Sequence, residues 1–100
     1  MVTYLVTYEG TEADRFDRAH FEDVHLPLVR SQLTQHGLLS IEGYYPARKG
    51  TGVVAANVFS FRDEQAMQTA FASPEFVAVV EDVKNYTDLA PNAHKVEWTE

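Results

Sequence analysis

The stretch Val53-Val54-Ala55-Ala56-Asn57-Val58-Phe59 decides the fold of this chain. Its β-branched and aromatic residues predict a strand that runs from Val53 to Phe61. A strand with one face in water should alternate between apolar and polar residues, but this strand is apolar at both phases. Both of its faces therefore need cover, and a single layer of helices can supply only one of them.

Three further strands are predicted, two before this stretch and one after it. Each is rich in β-branched or aromatic residues and is bounded by turn residues. They comprise residues 2–8, 38–46 and 92–99. On the last strand, His94, Val96 and Trp98 share one phase, which we interpret as a buried phase.

Helical spacing of apolar residues predicts two helical regions between the strands. Asp17 caps the first region, Gly37 ends it, and Pro27 breaks it because proline has no amide donor and crowds the preceding turn. Asp63 caps the second region, which Ser73 restarts, since the proline that follows it suits a first helical position.

The resulting order, β-α-β-β-α-β, predicts one ferredoxin-like α+β domain over residues 1–100. In that arrangement two helical regions cover one face of a four-stranded antiparallel sheet and leave the other face bare. Because the central strand is apolar on both faces, we expect a second copy of the chain to cover the bare face. The fold class predicted is a homodimeric α+β barrel.

Composition and charge exclude several classes of partner. Eight basic residues against fifteen acidic ones give a formal net charge of −7, which repels nucleic acid and anionic membranes. The chain has no cysteine, no apolar run of about 18 residues and no basic signal region ahead of the first strand. We therefore expect a cytoplasmic protein that binds neither nucleic acid nor membrane.

The sequence favours neither a metal nor a nucleotide cofactor. His20 and His25 are five residues apart, which puts them about 140° apart on a regular α-helix. The other histidines and the carboxylates form no tight ligand cluster. No glycine-rich phosphate loop and no nucleophile elbow is present. We therefore expect no cofactor.

His25 is the first candidate for chemistry. It falls in the apolar arc of its helix, where a neutral imidazole could move a proton near pH 7. The alternative is a buried histidine that bonds to the backbone and holds the break at Pro27. Both interpretations fit the residues.

Four other residues are candidates for the same site. Asp88 could align the histidine, and Tyr86 could orient a ligand from the same loop; the alternatives are bonds to turn amides and helix-end packing. His94 could line the cavity from the sheet, although core packing explains it as well. Tyr4 could contact a ligand, or it could pack against the helices or a partner sheet.

Three segments of the chain resemble the EthD family. They are Arg15-Phe16-Asp17 to His20-Phe21, His25-Leu26-Pro27-Leu28-Val29, and Asn85-Tyr86-Thr87-Asp88-Leu89 with Pro91. The resemblance implies a dimeric α+β barrel akin to small cofactor-independent monooxygenases, isomerases, cyclases and dehydratases that act on ring or polyketide-like compounds. It does not imply one reaction.

Three functions follow as hypotheses. The first is a cofactor-independent enzyme in which a small apolar or aromatic ligand lies in a pocket and His25 acts as acid or base. The second is a ligand-binding or accessory protein of a degradation pathway, with a structural His25. The third is a structural dimer without a pocket.

Overall fold

The computed structural model describes residues 1–96, and its strands and helices follow the predicted order β-α-β-β-α-β. The strands are β1 (Val2–Glu9), β2 (Leu38–Tyr44), β3 (Val53–Phe61) and β4 (Pro91–Val96). The helices are α1 (Arg18–His20), a π-helical segment (Phe21–His25), α2 (Leu26–Leu33), α3 (Glu64–Phe71) and α4 (Pro74–Asp82). Short 3₁₀ turns at Thr34–His36 and Val83–Asn85 follow α2 and α4.

The sheet is antiparallel, with strand order β2-β3-β1-β4. This order places β1 and β3 side by side in the centre, as in a ferredoxin-like fold. The register pairs Asn57 with Val6 on one side and with Gly43 on the other. The predicted ferredoxin-like α+β fold is confirmed.

The two faces of the sheet differ in burial. The helix-side face carries the buried side chains of Val6, Tyr8, Ala55, Asn57, Phe59 and Phe61. The opposite face, here called the open face, carries Leu5, Val58 and His94, which lie side by side across three strands. Leu5 and Val58 are half-buried and His94 is exposed. Trp98, predicted on the same strand as His94, lies outside the described residues.

The break predicted at Pro27 takes the form of the π-helical segment. Pro27 is the second residue of the regular helix α2, and the amide of Leu26 donates to the carbonyl of Phe21, five residues back. Because proline supplies no amide donor, a regular helix through this point would leave a carbonyl unpaired. Lengthening the hydrogen-bonded turn before Pro27 accommodates that loss without ending the helical region.

The caps at the helix ends are those that the sequence predicts. The carboxylates of Asp17 and Asp63 accept hydrogen bonds from the amides of His20 and Ala66. The Ser73 hydroxyl accepts the amide of Phe76. Each cap pairs an amide that a helix start leaves without a partner, which explains why local sequence fixes these ends.

Gly37 ends the first helical region in a conformation that other residues rarely adopt. Its φ is 93°, and a Cβ placed on it would lie 2.8 Å from the Cβ of Ala66. We expect Gly37→Ala to lower the free energy of unfolding by about 2–4 kcal/mol, from the left-handed backbone and the collision together. Urea unfolding measures this loss.

Gly50 is the matched control, because it also has a positive φ, 79°, but nothing lies within 4 Å of its Cβ position. Gly50→Ala should therefore cost only the backbone part, about 1 kcal/mol. Equal losses for the two variants would mean that the contact with Ala66 does not limit residue 37.

Candidate active site

A cavity of about 310 Å³ opens between the helix-side face of the sheet and helix α4. Most of its wall is apolar, from phenylalanine and valine side chains of β3, α3 and α4. Its polar wall comes from His25, Asn57, Tyr4 and Tyr8. An apolar cavity with a few converging polar groups is the usual form of a small-molecule site.

His25 joins the cavity to a buried carboxylate. Its ring is 2% exposed, and its Nδ1 lies 2.9 Å from Oδ2 of Asp82 on α4. An ionised carboxylate only accepts hydrogen bonds, so Nδ1 carries the proton. The other ring nitrogen, Nε2, makes no hydrogen bond to residues 1–96 and has a free lone pair in the neutral ring. Burial lowers the pKa of His25, against the opposing effect of Asp82.

Asp82 accepts hydrogen bonds from three side chains. Besides His25, they are Nε2 of His20, 2.9 Å from Oδ1, and Nδ2 of Asn85, 3.0 Å from the same oxygen. Burial alone would raise the pKa of Asp82, but these hydrogen bonds outweigh it and hold the pKa below its usual value. The carboxylate is therefore charged near neutral pH and orients both imidazoles.

The π-helical segment explains how both histidines reach one carboxylate. On a regular α-helix, residues five apart point in different directions, which is the arrangement predicted for His20 and His25. A π-helical turn closes hydrogen bonds between residues five apart, so such residues come to the same side. The break before Pro27 is thus what assembles the pair around Asp82.

A pair of tyrosines forms the next part of the site. The hydroxyls of Tyr8 and Tyr86 lie 2.5 Å apart and are buried, and the Tyr86 ring centroid is 4.6 Å from that of His25. Burial raises the pKa of both phenols, so both stay protonated at neutral pH. The pair can donate a proton to a hydrogen bond but does not supply a base.

Asn57 adds a polar group at the sheet wall of the cavity. Its side chain is 1% exposed and lies beside the Tyr8 hydroxyl, whose pKa it lowers. Its carbonyl oxygen, Oδ1, has no hydrogen-bond partner within residues 1–96. Few buried polar groups in folded proteins stay unpaired.

Of the five residues predicted for the site, three meet there. His25 and Tyr4 line the cavity, and Tyr86 packs against the His25 ring. Of the two directions considered for Tyr4, towards the helices or towards a partner sheet, the structure has the first. The Tyr4 ring packs on Phe71, with 4.8 Å between ring centroids.

The structure places Asp88 and His94 outside the cavity. The Asp88 side chain is 78% exposed and forms an ion pair with Arg15, 2.9 Å from Oδ1 to Nη2, so it cannot align His25. His94 pairs with Leu5 on the open face, whereas its neighbour Ala93 lines the cavity. His94 is exposed rather than buried, because the strand phase runs opposite to the one assumed.

Sequence reasoning missed Asp82, which takes the role assigned to Asp88. One signal was available. Asp82 lies three residues after Val79, within the apolar stripe of α4, and an acidic residue at a core position usually has a partner. Asn57 gave a similar signal, as the one amide within the apolar run of β3.

Within residues 1–96, no group of three or more histidine and carboxylate side chains is placed to hold a metal ion. Nor is any helix in that range long and apolar enough to cross a membrane.

A ferredoxin-like sheet with helices on one face and a cavity beneath them defines the class as a ferredoxin-like α+β domain. Solved structures agree. An EthD-like protein from Ralstonia eutropha JMP134 is 28% identical, with 96% of this chain and 89% of that chain covered at a TM-score of 0.78. An EthD family protein from Bacillus halodurans C-125 is 19% identical, with 97% and 100% covered at 0.71.

The resemblance to EthD-like proteins that the sequence predicts is confirmed by these two structures. A more distant match is SnoaB, a cofactor-independent oxygenase from Streptomyces nogalater, at 16% identity, with 98% of this chain and 94% of that chain covered and a TM-score of 0.68. That match shows the fold alone. The sequence matches no family model and no curated protein.

Proposed function

We propose that this protein is a cofactor-independent enzyme that binds a small ring compound in the cavity and moves a proton with His25. The observation that carries the proposal is the buried His25–Asp82 pair, with 2.9 Å between Nδ1 and Oδ2, at the cavity wall. The fold is one on which SnoaB works without a cofactor, which supports such chemistry here.

The proton step follows from the state of the two groups. Asp82 is charged and holds the proton of His25 on Nδ1, so the lone pair of Nε2 is available to accept a proton from a ligand. The positive charge then formed on the ring is stabilised by Asp82. The same nitrogen returns the proton to another atom of the ligand, as an isomerisation, cyclisation or dehydration requires.

His25→Ala tests the proposal. With a ring or lactone compound found to bind and react, we expect turnover to fall by about 10²- to 10⁴-fold while binding changes little, because the proton acceptor is lost but the cavity stays. Initial rates and calorimetric affinities measure the two effects.

His36→Ala is the matched control. His36 also contacts a carboxylate, with 2.7 Å from its Nε2 to Oε1 of Glu75, but it lies outside the cavity. Turnover should therefore be unchanged. If His25→Ala also left turnover unchanged, proton transfer by His25 would be excluded.

A second candidate is a binding or accessory protein that holds the same ligand for another enzyme. The apolar wall of the cavity favours ligand binding whether or not chemistry follows. In that case His25 is structural, so His25→Ala would lower stability and change binding little, and no turnover would exist to lose. A structural dimer without a pocket fits poorly with a cavity of about 310 Å³.

A homodimer is part of the proposal. The open face carries Leu5, Val58 and half-buried Ala56 on its central strands, and a second sheet would remove these side chains from water. The absence of nucleic acid partners and a cytoplasmic location stay predictions from charge and composition.

Val58→Glu tests the dimer. The new carboxylate would lie beside Glu42, its cross-strand neighbour, on a face that a partner must desolvate. We expect the dimer to dissociate at least 100-fold more readily, with the monomer still folded, as measured by sedimentation and circular dichroism. Val77→Glu on α4, at a side chain 55% exposed, should leave the dimer intact. Equal behaviour of the two variants would contradict an interface on the open face.

A further inference from the structure

We propose that Asn57 selects the ligand by accepting a hydrogen bond from a hydroxyl on an aromatic ring of one or two fused cycles. This inference rests on the proposed function for the cavity and names the chemical class that the cavity takes. It assigns Asn57 to specificity and leaves proton transfer to His25.

The first support is the unpaired oxygen of Asn57. The side chain is buried on the helix-side face, where its strand neighbours Val6 and Gly43 offer no side-chain donor. The side chain lies beside the Tyr8 hydroxyl, whose pKa it lowers, and its Oδ1 is left without a partner in residues 1–96. A buried acceptor without a partner destabilises the protein, so a ligand that donates to it gains more than one that cannot.

The second support is the position of Asn57 relative to His25. Asn57 contacts Tyr8, Tyr8 contacts Tyr86, and the Tyr86 ring packs on His25. Both Asn57 and His25 line the cavity. A hydroxyl held by Asn57 would therefore fix how the ring presents its other atoms to Nε2 of His25.

The third support is the shape of the wall. Tyr4, Phe59, Phe71 and Phe76 line the cavity, with ring centroids of neighbouring pairs 4.8 to 6.5 Å apart. Such edges and faces favour an aromatic guest. Because an apolar cavity of about 150 Å³ binds benzene, a cavity of about 310 Å³ has room for one ring or two fused rings.

The test compares two probes of nearly equal shape, 2-naphthol and 2-methylnaphthalene, for binding to the full chain by NMR titration. Without a donor contact, the methyl compound should bind more tightly, since it is the more hydrophobic of the two. With the contact, we expect 2-naphthol to bind about tenfold tighter. In Asn57→Leu, this preference should reverse.

Thermal unfolding checks the variant itself. Leucine has the same number of side-chain heavy atoms as asparagine and removes the unpaired oxygen, although it also removes the contact with Tyr8, so stability should change by no more than about 1 kcal/mol. Should Asn57→Leu fail to fold, Asn57→Val, with a side chain suited to a strand, replaces it in the same titration.

An unchanged ratio of the two affinities in the variant would overturn the inference and would mean that water satisfies Oδ1. Failure of both probes to bind the native chain would also overturn it. His25→Ala should leave the ratio as it is, because His25 is not the group that recognises the hydroxyl. If the preference for 2-naphthol reverses in Asn57→Leu but no turnover is found, only the enzyme proposal is contradicted. If turnover is found but the ratio of the two affinities is unchanged in Asn57→Leu, only this inference is contradicted.

Discussion

Asp82→Ala is expected to lower the free energy of unfolding by about 2–4 kcal/mol and turnover by about 10²- to 10⁴-fold. The stability loss arises because the buried Nδ1–H of His25 and the side chains of His20 and Asn85 lose their common acceptor. The turnover loss arises because the His25 ring loses the group that fixes its orientation and tautomer. Urea unfolding and initial rates measure the two.

Asp82→Asn separates these two effects. The amide keeps the shape and one acceptor oxygen, so the stability loss should be smaller, about 1–2 kcal/mol. An amide nitrogen facing His25 would donate to Nδ1, which moves the ring proton to Nε2 and removes the base from the cavity. Turnover should then fall as far as in Asp82→Ala.

Glu75→Ala provides the control for both variants. Glu75 also accepts a hydrogen bond from a histidine, His36, but the pair is partly exposed and outside the cavity. Its loss should cost no more than about 1 kcal/mol and should leave turnover unchanged. Full turnover in Asp82→Asn would show that the carboxylate does not control the His25 base.

The fold could be predicted because its determinants are local. Asp17, Asp63 and Ser73 each satisfy an amide a few residues away, and Gly37 needs a backbone conformation that its own lack of a side chain permits. The apolar pattern of β3 gave its observed bounds, Val53–Phe61. None of these features depends on contacts between distant segments.

The site was only partly predictable, since it depends on how distant segments meet. His25 could be chosen because its own helix places it in an apolar arc. Its partner could not, because Asp82 is 57 residues away and competes with fourteen other acidic residues. The loop residue Asp88 was preferred on local grounds, but Arg15 holds it at the surface.

Two errors came from assuming regular geometry. The angle between His20 and His25 was taken from an ideal α-helix, whereas the π-helical segment brings both to Asp82. The face of His94 was taken from its neighbours on the strand. Strand alternation tells which residues share a face but not which face it is, and the pairing of Leu5 with His94 decides that.

Turnover is expected to be constant at high pH and to fall tenfold per pH unit below the pKa of His25. Burial lowers this pKa from the ordinary value of 6.5, so the fall begins below pH 6.5. Above that pKa the ring is neutral and can accept a proton; below it, the lone pair of Nε2 is occupied. Rates between pH 4.5 and 9 at saturating ligand locate the midpoint.

Asp82 and His20 should move the midpoint of the pH dependence of turnover in opposite directions. Asp82 raises the pKa of His25 and His20 lowers it by charge. The midpoint should therefore shift to lower pH in Asp82→Asn and to higher pH in His20→Gln. His36→Ala should leave it in place, and shifts of the same sign in both site variants would contradict this electrostatic arrangement.

The free energy of unfolding should also depend on the protonation of His25 and should fall as the pH is lowered. The pKa of His25 is lower in the folded chain than in the unfolded one, so between the two values the unfolded state binds more protons. The free energy of unfolding must then fall as pH drops below about 6.5, the ordinary histidine value. Asp82, whose pKa is lowered from 3.8, adds a further loss only as the pH falls below that value. In His25→Gln, the free energy of unfolding should therefore fall less between pH 6.5 and 4, while its fall below pH 4 should remain. If the fall between pH 6.5 and 4 were unchanged in this variant, it would arise from groups other than His25.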